Sequence, residues 1–152
     1  MTEDARIPAK KIAAMLSVDE EAVKTSIADM ENKGLLVKYT AIVNSEKADD
    51  ALVEALIEVK VTPKKKEGFD GIAKQIASFP EVKSVYLMSG AFDLAIFVEG
   101  DAITDIAKFV AEKLSVIDGI TSVQTHFILK RYKIEGHVTK QSDERQRQII
   151  QA

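Results

Sequence analysis

One short turn holds the residues of this chain that are best suited to bind a small molecule. In "VYLMSGAFDLAIFVEG", residues 85–100, two apolar runs flank the turn "SGAFD", residues 89–93. Glycine and aspartate are common in hairpin turns, because glycine accepts unusual backbone angles and aspartate bonds to nearby amides. The same two residues suit a ligand site, since Gly90 lets a ligand approach main-chain groups and Asp93 can pair with an amino group. The turn alone leaves both interpretations open.

The ligand interpretation gives each residue a role. Main-chain groups of residues 89–92 would hold a carboxylate or an ammonium group, and Asp93 would pair with an amino group or fix the loop. Met88 and Phe92 would supply apolar walls, and two residues of the last strand would add polar contacts. An amino acid has both charges and a variable side chain, so this mixed lining predicts an amino-acid effector. The candidate effector-binding residues are Met88, Ser89, Gly90, Ala91, Phe92, Asp93, Thr125 and His126.

Composition excludes several classes of function. The chain of 152 residues has no cysteine, which excludes disulfides and thiolate metal sites, and its two histidines do not make a metal cage. We therefore predict no metal and no cofactor. No apolar run approaches the ~20 residues of a membrane span and no signal peptide is visible, so we expect a cytoplasmic protein. A net charge of -3 argues against general electrostatic binding to nucleic acid but leaves room for a local basic surface.

The first forty residues predict two helices joined by a tight turn. Pro8 suits a first helical turn, Asp19 suits the cap of the second helix, and Gly34 suits its C-terminal end. Apolar residues follow at helical spacing. They are Ile12, Met15 and Leu16, then Val23, Ile27 and Met30. With the strand-like "LLVKYTAIV", the pattern predicts a winged helix-turn-helix over residues 1–43, and a plain helical hairpin fits the periodicity equally well.

The rest of the chain has the period of strands alternating with helices. After a polar linker, residues 44–50, strands are expected at "ALVEALIEVKV", "VKSVYLM", "DLAIFVEG" and "ITSVQTHFILKRYKI", and helices at "GIAKQIASF" and "AITDIAKFVAEKLSVI". This βαββαβ order predicts a ferredoxin-like domain over residues 51–136, followed by a tail, residues 137–152. The chain as a whole is thus predicted to be α+β.

The predicted sheet has apolar residues on both faces. Alternation gives the third strand one face with Leu94, Ile96 and Val98 and another with Ala95 and Phe97. The last strand has Phe127 and Leu129 on one side and His126, Ile128 and Tyr132 on the other, so a face that helices leave uncovered is still partly apolar. Nothing else in the sequence is left to cover this second face. A second subunit is the economical cover, so we predict a homodimer.

These segments resemble the Lrp/AsnC (leucine-responsive, feast/famine) transcriptional regulators. The resemblance spans residues 3–136, with "ARIPAKKIAAMLSVDEEAVKTSIADMENKGLLVKYTAIVN" similar to their winged helix-turn-helix and "SGAFDL" the most specific element of the sensing domain. It implies DNA binding, amino-acid sensing at a site between subunits, and dimers that assemble into rings, often octamers. In that site Thr125 and His126 would come from a neighbouring subunit.

Two departures from the family pattern bear on DNA binding. In the family a full helix precedes the segment that matches "ARIP", and here Met1 falls just before it, so we expect an incomplete DNA-binding domain. Residues 1–44 also hold six cationic against seven acidic side chains, which makes a poor surface for phosphates. Avidity across several dimers would compensate. The candidate DNA-binding residues are Lys11, Glu21, Lys24, Thr25 and Ala28.

Two other functions compete with the regulator. A stand-alone sensor that modulates a full-length relative would explain a missing helix and weak DNA binding. An enzyme is the second alternative, since some relatives with this layout are siroheme decarboxylases and four side chains could form an acid-base site. These are Tyr86, Asp93, His126 and Tyr132. No spacing of nucleophile and base is visible, so we predict that the protein is not an enzyme.

Overall fold

The chain divides into two compact units between Val43 and Asn44. The structure, a computed structural model, describes residues 2–44, 52–63 and 68–138. The predicted linker falls outside the described residues except for Asn44, and so does the end of the predicted tail. None of the helices in the described ranges combines the length and the apolar character that a membrane crossing needs.

The first unit is a helix-turn-helix. Its helices are α1, Ala9–Leu16, and α2, Glu20–Asn32. α1 ends where Ser17 adopts a left-handed backbone with a φ of 55°. Asp19 then caps α2, because its Oδ2 accepts a hydrogen bond from the amide of Glu21 at 2.8 Å. Gly34, with a φ of 67°, turns the chain away after α2. Both predicted helices are confirmed, and so are the cap at Asp19 and the turn at Gly34. Pro8 is the N-cap residue of α1 and lies just before the first helical turn in which it was predicted.

An apolar groove runs between α1 and α2. It has a volume of about 420 Å³. Its lining includes Ile7, Ile12, Met15, Val18, Ile27 and Met30. Among the described residues of this unit, the buried apolar residues are Ala13 and Val23. The first unit therefore exposes much of its apolar surface within a single chain.

The second unit has the predicted βαββαβ order. Its elements are β1 (Val53–Val61), α3 (Asp70–Ala77), β2 (Val82–Leu87), β3 (Leu94–Gly100), α4 (Ile103–Lys108) with a π-helical extension (Phe109–Leu114), and β4 (Ile120–Phe127). The four strands form one antiparallel sheet in the order β2-β3-β1-β4. β1 and β3 are therefore the central strands.

Strand register decides which residues face the helices. Ile57 lies opposite Ile96 on β3 and Thr125 on β4, and directly paired residues share a face. This face packs on α3, α4 and the π-helical extension. The buried core consists of Ala55, Ile57, Val59, Val61, Ile72, Ile76, Leu94, Ile96, Val98, Ile106, Phe109, Leu114 and Ile117.

The opposite face of the sheet, called the open sheet face below, is partly apolar as predicted. Leu56 lies opposite both Phe97 and His126, so these three side chains share this face. The rings of Tyr86 and Phe97 meet edge to face with centroids 6.0 Å apart. Glu58 and Ala95, which are paired with each other, also lie on the open sheet face.

Two sequence predictions are wrong in detail. Residues 35–43 form no strand, because a strand needs a partner and none pairs with them in the described part of the first unit; Leu35 and Val37 are 71% and 88% exposed. The last strand ends at Phe127 and does not reach Ile134, so Ile128 and Tyr132 fall beyond it. A small hairpin follows, in which β5 (Lys133–Ile134) pairs with β6 (His137–Val138). The first two residues of the predicted tail, His137 and Val138, form the second strand of this hairpin.

An ion pair ties the π-helical extension to the loop before β2. Lys113 donates a hydrogen bond to Oε1 of Glu81, and this bond holds the pKa of Glu81 below its ordinary value of 4.5. The unfolded chain therefore binds a proton at higher pH than the folded chain does. The stability that the pair contributes is present above pH 4.5 and is lost as the pH falls through the lowered pKa.

We expect Lys113→Met to flatten this acid-side loss of stability. The free energy of unfolding, measured by urea titration between about pH 3 and pH 5, should depend less steeply on pH than in the wild type. Lys108→Met removes an exposed lysine from α4 and serves as the control. An unchanged slope in Lys113→Met would refute this role of the pair.

Candidate effector site and the outer face of the second helix

Asp93 ties three strands together at one end of the sheet. Its Oδ2 accepts a hydrogen bond from the amide of Val61 at 2.9 Å. Its own amide donates to the carbonyl of Val59 at 3.0 Å, and its carbonyl accepts from the amide of Met88 at 2.8 Å. One residue thus links β1, the end of β2 and the start of β3.

The end of β3 explains why a carboxylate is needed here. β3 begins at Leu94, opposite Val59, so Val61 extends beyond the last residue of β3 that pairs with β1. The Asp93 carboxylate accepts the hydrogen bond of the Val61 amide, which a carbonyl of a longer β3 would otherwise have accepted. Within the described residues its Oδ1 accepts no hydrogen bond. The sequence predicts that Asp93 bonds to a nearby amide of the turn; instead one of its oxygens accepts from an amide 32 residues away.

The rest of the turn presents backbone and apolar surface to solvent. Gly90 has a φ of 155°, and a Cβ built on it would meet nothing within 4 Å, so the space in front of its backbone is open. Met88 is 43% exposed, Ser89 and Ala91 are exposed, and Phe92 is half-buried. An incoming molecule would meet main-chain polar groups between two apolar side chains.

Thr125 and His126 lie away from the turn in the same chain. They follow Val123, which pairs with Val59 at the turn end of the sheet, by two and three residues. Thr125 is half-buried on the helix-covered face, whereas His126 is 44% exposed on the open sheet face. Oε1 of Glu58 lies 3.5 Å from Nε2 of His126. One chain therefore brings together the turn residues but not these two strand residues.

Acidic neighbours surround the single lysine among the DNA-facing candidates on α2. Nζ of Lys24 lies 2.7 Å from Oε1 of Glu21 and 3.1 Å from Oε1 of Glu20. These hydrogen bonds, first to Glu21 and then to Glu20, raise the pKa of Lys24. The hydroxyl of Thr25 donates to the carbonyl of Glu21 at 2.9 Å. Lys24 therefore has to break its contacts with the carboxylates of Glu20 and Glu21 before it can contact a phosphate.

The other DNA-facing candidates are exposed. Ala28 lies on the outer side of α2, away from the stripe that faces the groove, and Lys11 lies on α1. The three acids that follow the turn, Asp19, Glu20 and Glu21, make the start of α2 negative. Helical spacing of three and four residues would have predicted the contacts of Lys24 from sequence.

The acid-base cluster considered from sequence does not assemble in one chain. Tyr86 lies on one edge strand and His126 on the other, so three inter-strand spacings, about 14 Å, separate them. In the described ranges, no group of three or more potential metal ligands comes together.

Sequence reasoning missed two contributors to these surfaces. Val61 provides the amide that Asp93 holds, and its position 32 residues away leaves no local signal. Glu58 contacts His126. The sequence signal for its position is the two-residue period of β1, which puts Leu56, Glu58 and Lys60 on the same face of the strand.

Comparison with known proteins assigns a family to this arrangement. Residues 54–138 match the model of the "Lrp/AsnC ligand binding domain". An uncharacterized HTH-type transcriptional regulator of Bacillus subtilis, YugG, is 41% identical over 151 residues, which cover 99% of this chain and 91% of YugG. The HTH-type transcriptional regulator LrpA of Pyrococcus abyssi is 32% identical over 133 residues, 88% of this chain and 92% of LrpA.

Solved structures share the fold of both units. A transcriptional regulator from Neisseria meningitidis, solved as a complex with L-Met, matches with a TM-score of 0.67 at 21% identity over 93% of this chain and 88% of its own. The leucine response regulatory protein LrpA of Mycobacterium tuberculosis matches with a TM-score of 0.72 at 17% identity over 91% of this chain and 92% of its own. The helix-turn-helix, the βαββαβ domain and the sequence similarity converge: this chain belongs to the Lrp/AsnC family of HTH-type transcriptional regulators.

Proposed function

We propose that this protein is a DNA-binding transcriptional regulator whose second unit binds an amino acid as its effector. The observation that carries the proposal is the turn at residues 88–93. Hydrogen bonds of Asp93 to Val59, Val61 and Met88 fix this turn to the sheet, and its Oδ1 accepts no further hydrogen bond from the described residues. A preorganised turn of this kind binds a ligand at a low cost in conformational entropy.

Each part of an amino acid finds a complementary group at the turn. The ammonium group would bind Oδ1 of Asp93, and the carboxylate would accept from main-chain amides of residues 89–92. The side chain would lie against Met88 and Phe92, which suits an apolar amino acid. The Neisseria meningitidis regulator solved with L-Met supports an effector of this class.

The open sheet face is the proposed dimer interface. Leu56, Phe97 and Tyr86 form an apolar strip at its centre, flanked by the polar pair of Glu58 and His126. An apolar centre with a polar margin is typical of protein–protein interfaces. A dimer across this face would also bring His126 against a second copy, which agrees with a site shared between subunits. Assembly of dimers into octamers is the further expectation from the family resemblance.

DNA binding is assigned to the outer face of α2 and to α1. The residues concerned are Lys11, Glu21, Lys24, Thr25 and Ala28. Because few cations serve each copy and Lys24 is held by two carboxylates, the affinity of one copy should be low. Several copies bound to one DNA would raise the affinity through avidity.

Removing an acid from α2 should therefore strengthen DNA binding. Glu21→Gln takes away the shorter contact of Lys24, and the lysine then reaches a phosphate more easily. We expect affinity at low salt to rise by roughly threefold to tenfold, and Lys24→Ala in the same background should abolish the gain. Fluorescence anisotropy with DNA from upstream of the protein's own gene measures both. Asp29→Asn removes a carboxylate paired with Lys33 instead, and it tests whether the gain is specific to Lys24.

The same anisotropy assay tests the proposed function as a whole. One of the twenty amino acids should change the affinity for DNA, and Lys11→Ala and Lys24→Ala should each reduce it. If no protein–DNA complex forms at low salt, the proposed DNA binding is refuted. If a complex forms but no amino acid alters its affinity, the proposed amino-acid effector is refuted.

A second candidate function is favoured by the charge of α2. The acids around Lys24 disfavour contact with phosphates, and this suits a sensor that co-assembles with another regulator of the family. Effector binding without DNA binding, together with co-purification with such a relative, would favour this candidate.

A further inference from the structure

The charge of the chain is divided unevenly along its length. Residues 1–127 hold 15 cationic and 21 acidic side chains, whereas residues 128–152 hold six cationic and three acidic ones. A basic end segment on an otherwise acidic chain is typical of an arm that binds a polyanion such as nucleic acid. Because DNA is the proposed partner and α2 is acidic, this segment is the part of the chain best suited to supply further cations.

The described part of this basic segment ends in a short hairpin, residues 130–138, called the basic hairpin below. An ion pair between Arg131 and Glu54 attaches its base to β1. β5 and β6 are joined through Glu135 and Gly136, whose φ values of 44° and 84° are both positive, as a two-residue hairpin turn of type I′ requires. The hairpin is therefore connected to the sheet at one end and closed by a tight turn at the other.

Two lysines and a tyrosine of the basic hairpin are exposed. The side chains of Lys130 and Lys133 form no ion pair with the described residues. Nζ of Lys130 lies 5.3 Å from the centroid of the Tyr132 ring, and Tyr132 is itself 70% exposed. Lys24 on α2, by contrast, is held by two carboxylates. The hairpin lysines can therefore meet a phosphate without first breaking an ion pair.

We propose that the basic hairpin is a second DNA-contacting surface, in which Lys130, Tyr132 and Lys133 contact phosphates of a DNA duplex. Lysine and tyrosine side chains both donate hydrogen bonds to phosphate oxygens, and such contacts position DNA without reading its sequence. β5 and β6 have two residues each, which is short for a ribbon that reads bases in a groove. The surface rests on the proposed function, since it serves the same DNA as α1 and α2, and it supplies cations that these helices lack.

A salt titration of the full chain with duplex DNA tests this surface. Lys130→Ala combined with Lys133→Ala should lower the affinity at low salt at least about tenfold. The slope of log affinity against log salt should become shallower by about two, because each lost phosphate contact releases about one counterion fewer. Fluorescence anisotropy measures both quantities, and a duplex of unrelated sequence should show the same change. Lys74→Ala combined with Lys108→Ala removes the same charge from exposed positions of α3 and α4 and is the control.

Photo-crosslinking in the full chain shows whether the contact is direct. The photoreactive amino acid p-benzoylphenylalanine replaces Tyr132, and irradiation of the complex with duplex DNA should give a protein–DNA product. The same replacement at Gln75, which is exposed on α3, is the control and should give little product. A yield from position 132 no higher than that from position 75 would overturn the proposal.

The outcomes separate the basic hairpin from the helix-turn-helix. If Lys24→Ala weakens binding while the hairpin variant leaves affinity and slope unchanged, the hairpin makes no contact and the proposed function stands. If the hairpin variant weakens binding and Lys24→Ala does not, the hairpin contact stands and the assignment of α2 to DNA is wrong. An equal loss in the control with Lys74 and Lys108 replaced would show an effect of net charge and would overturn the hairpin contact. If no duplex binds at low salt, the proposed DNA binding fails and the hairpin contact fails with it.

Discussion

Asp93→Ala is expected to lower the free energy of unfolding by about 1–3 kcal/mol, because it leaves the amide of Val61 without its partner. That amide lies at the end of β1, where β3 no longer pairs with it. Asp93→Asn should be much less destabilising, since the asparagine side-chain oxygen can still accept this hydrogen bond. Urea unfolding followed by circular dichroism measures both variants.

Asp93→Asn should weaken effector binding although it has little effect on stability. Asp93→Asn keeps the turn but removes the negative charge, so the affinity for the amino acid should fall by about tenfold to a hundredfold. A thermal-shift screen of the twenty amino acids identifies the effector, and a titration then gives its affinity for each variant. Asp101→Asn, in the exposed loop after β3, removes the same charge without touching the turn and is the control.

The outcomes separate the two interpretations of the turn. If Asp93→Asn binds the effector as tightly as the wild type, the carboxylate serves only as a cap for Val61. If Asp93→Ala is as stable as the wild type, the contact with Val61 does not hold the turn. Loss of binding in Asp93→Asn at unchanged stability would support both roles together.

Phe97→Glu is expected to weaken dimerisation by at least about a hundredfold, because it places an unpaired charge in an apolar contact. Phe97 lies at the centre of the open sheet face, against Leu56 and Tyr86. A symmetric interface contains the substitution twice, which increases the effect. Light scattering during a dilution series should show a dimer for the wild type at micromolar concentration and a monomer for the variant.

Two further variants make this test specific. Phe97→Leu removes the ring but keeps an apolar side chain, and it should retain the dimer. This variant separates the effect of the introduced charge from the effect of the lost side-chain volume. Gln75→Glu adds the same charge on exposed α3, outside the open sheet face, and should have no effect. A wild type that is monomeric throughout, or a Phe97→Glu variant that remains dimeric, would exclude this face as the interface.

The sequence by itself determined the elements that depend on local chemistry. Pro8, Asp19 and Gly34 act within a few residues of the chain, so the ends of α1 and α2 could be predicted from their types. The two-residue period likewise separated Phe97 from Ile96, and His126 from Phe127, on the faces of their own strands. Only the register shows that Phe97 and His126 share a face. The motif "SGAFDL" with its neighbouring strands pointed to the family and to the turn as the candidate site.

Only the tertiary structure decided which groups meet across long distances in the chain. The carboxylate of Asp93 holds an amide 32 residues away, and that contact depends on where β3 ends relative to β1. Residues 35–43 have the alternation of a strand but form none, because pairing depends on a partner and not on the pattern alone. Thr125 and His126 are adjacent in sequence and point to opposite faces of β4, since successive strand residues alternate. Local patterns determine conformation, whereas strand register and packing determine which side chains share a site.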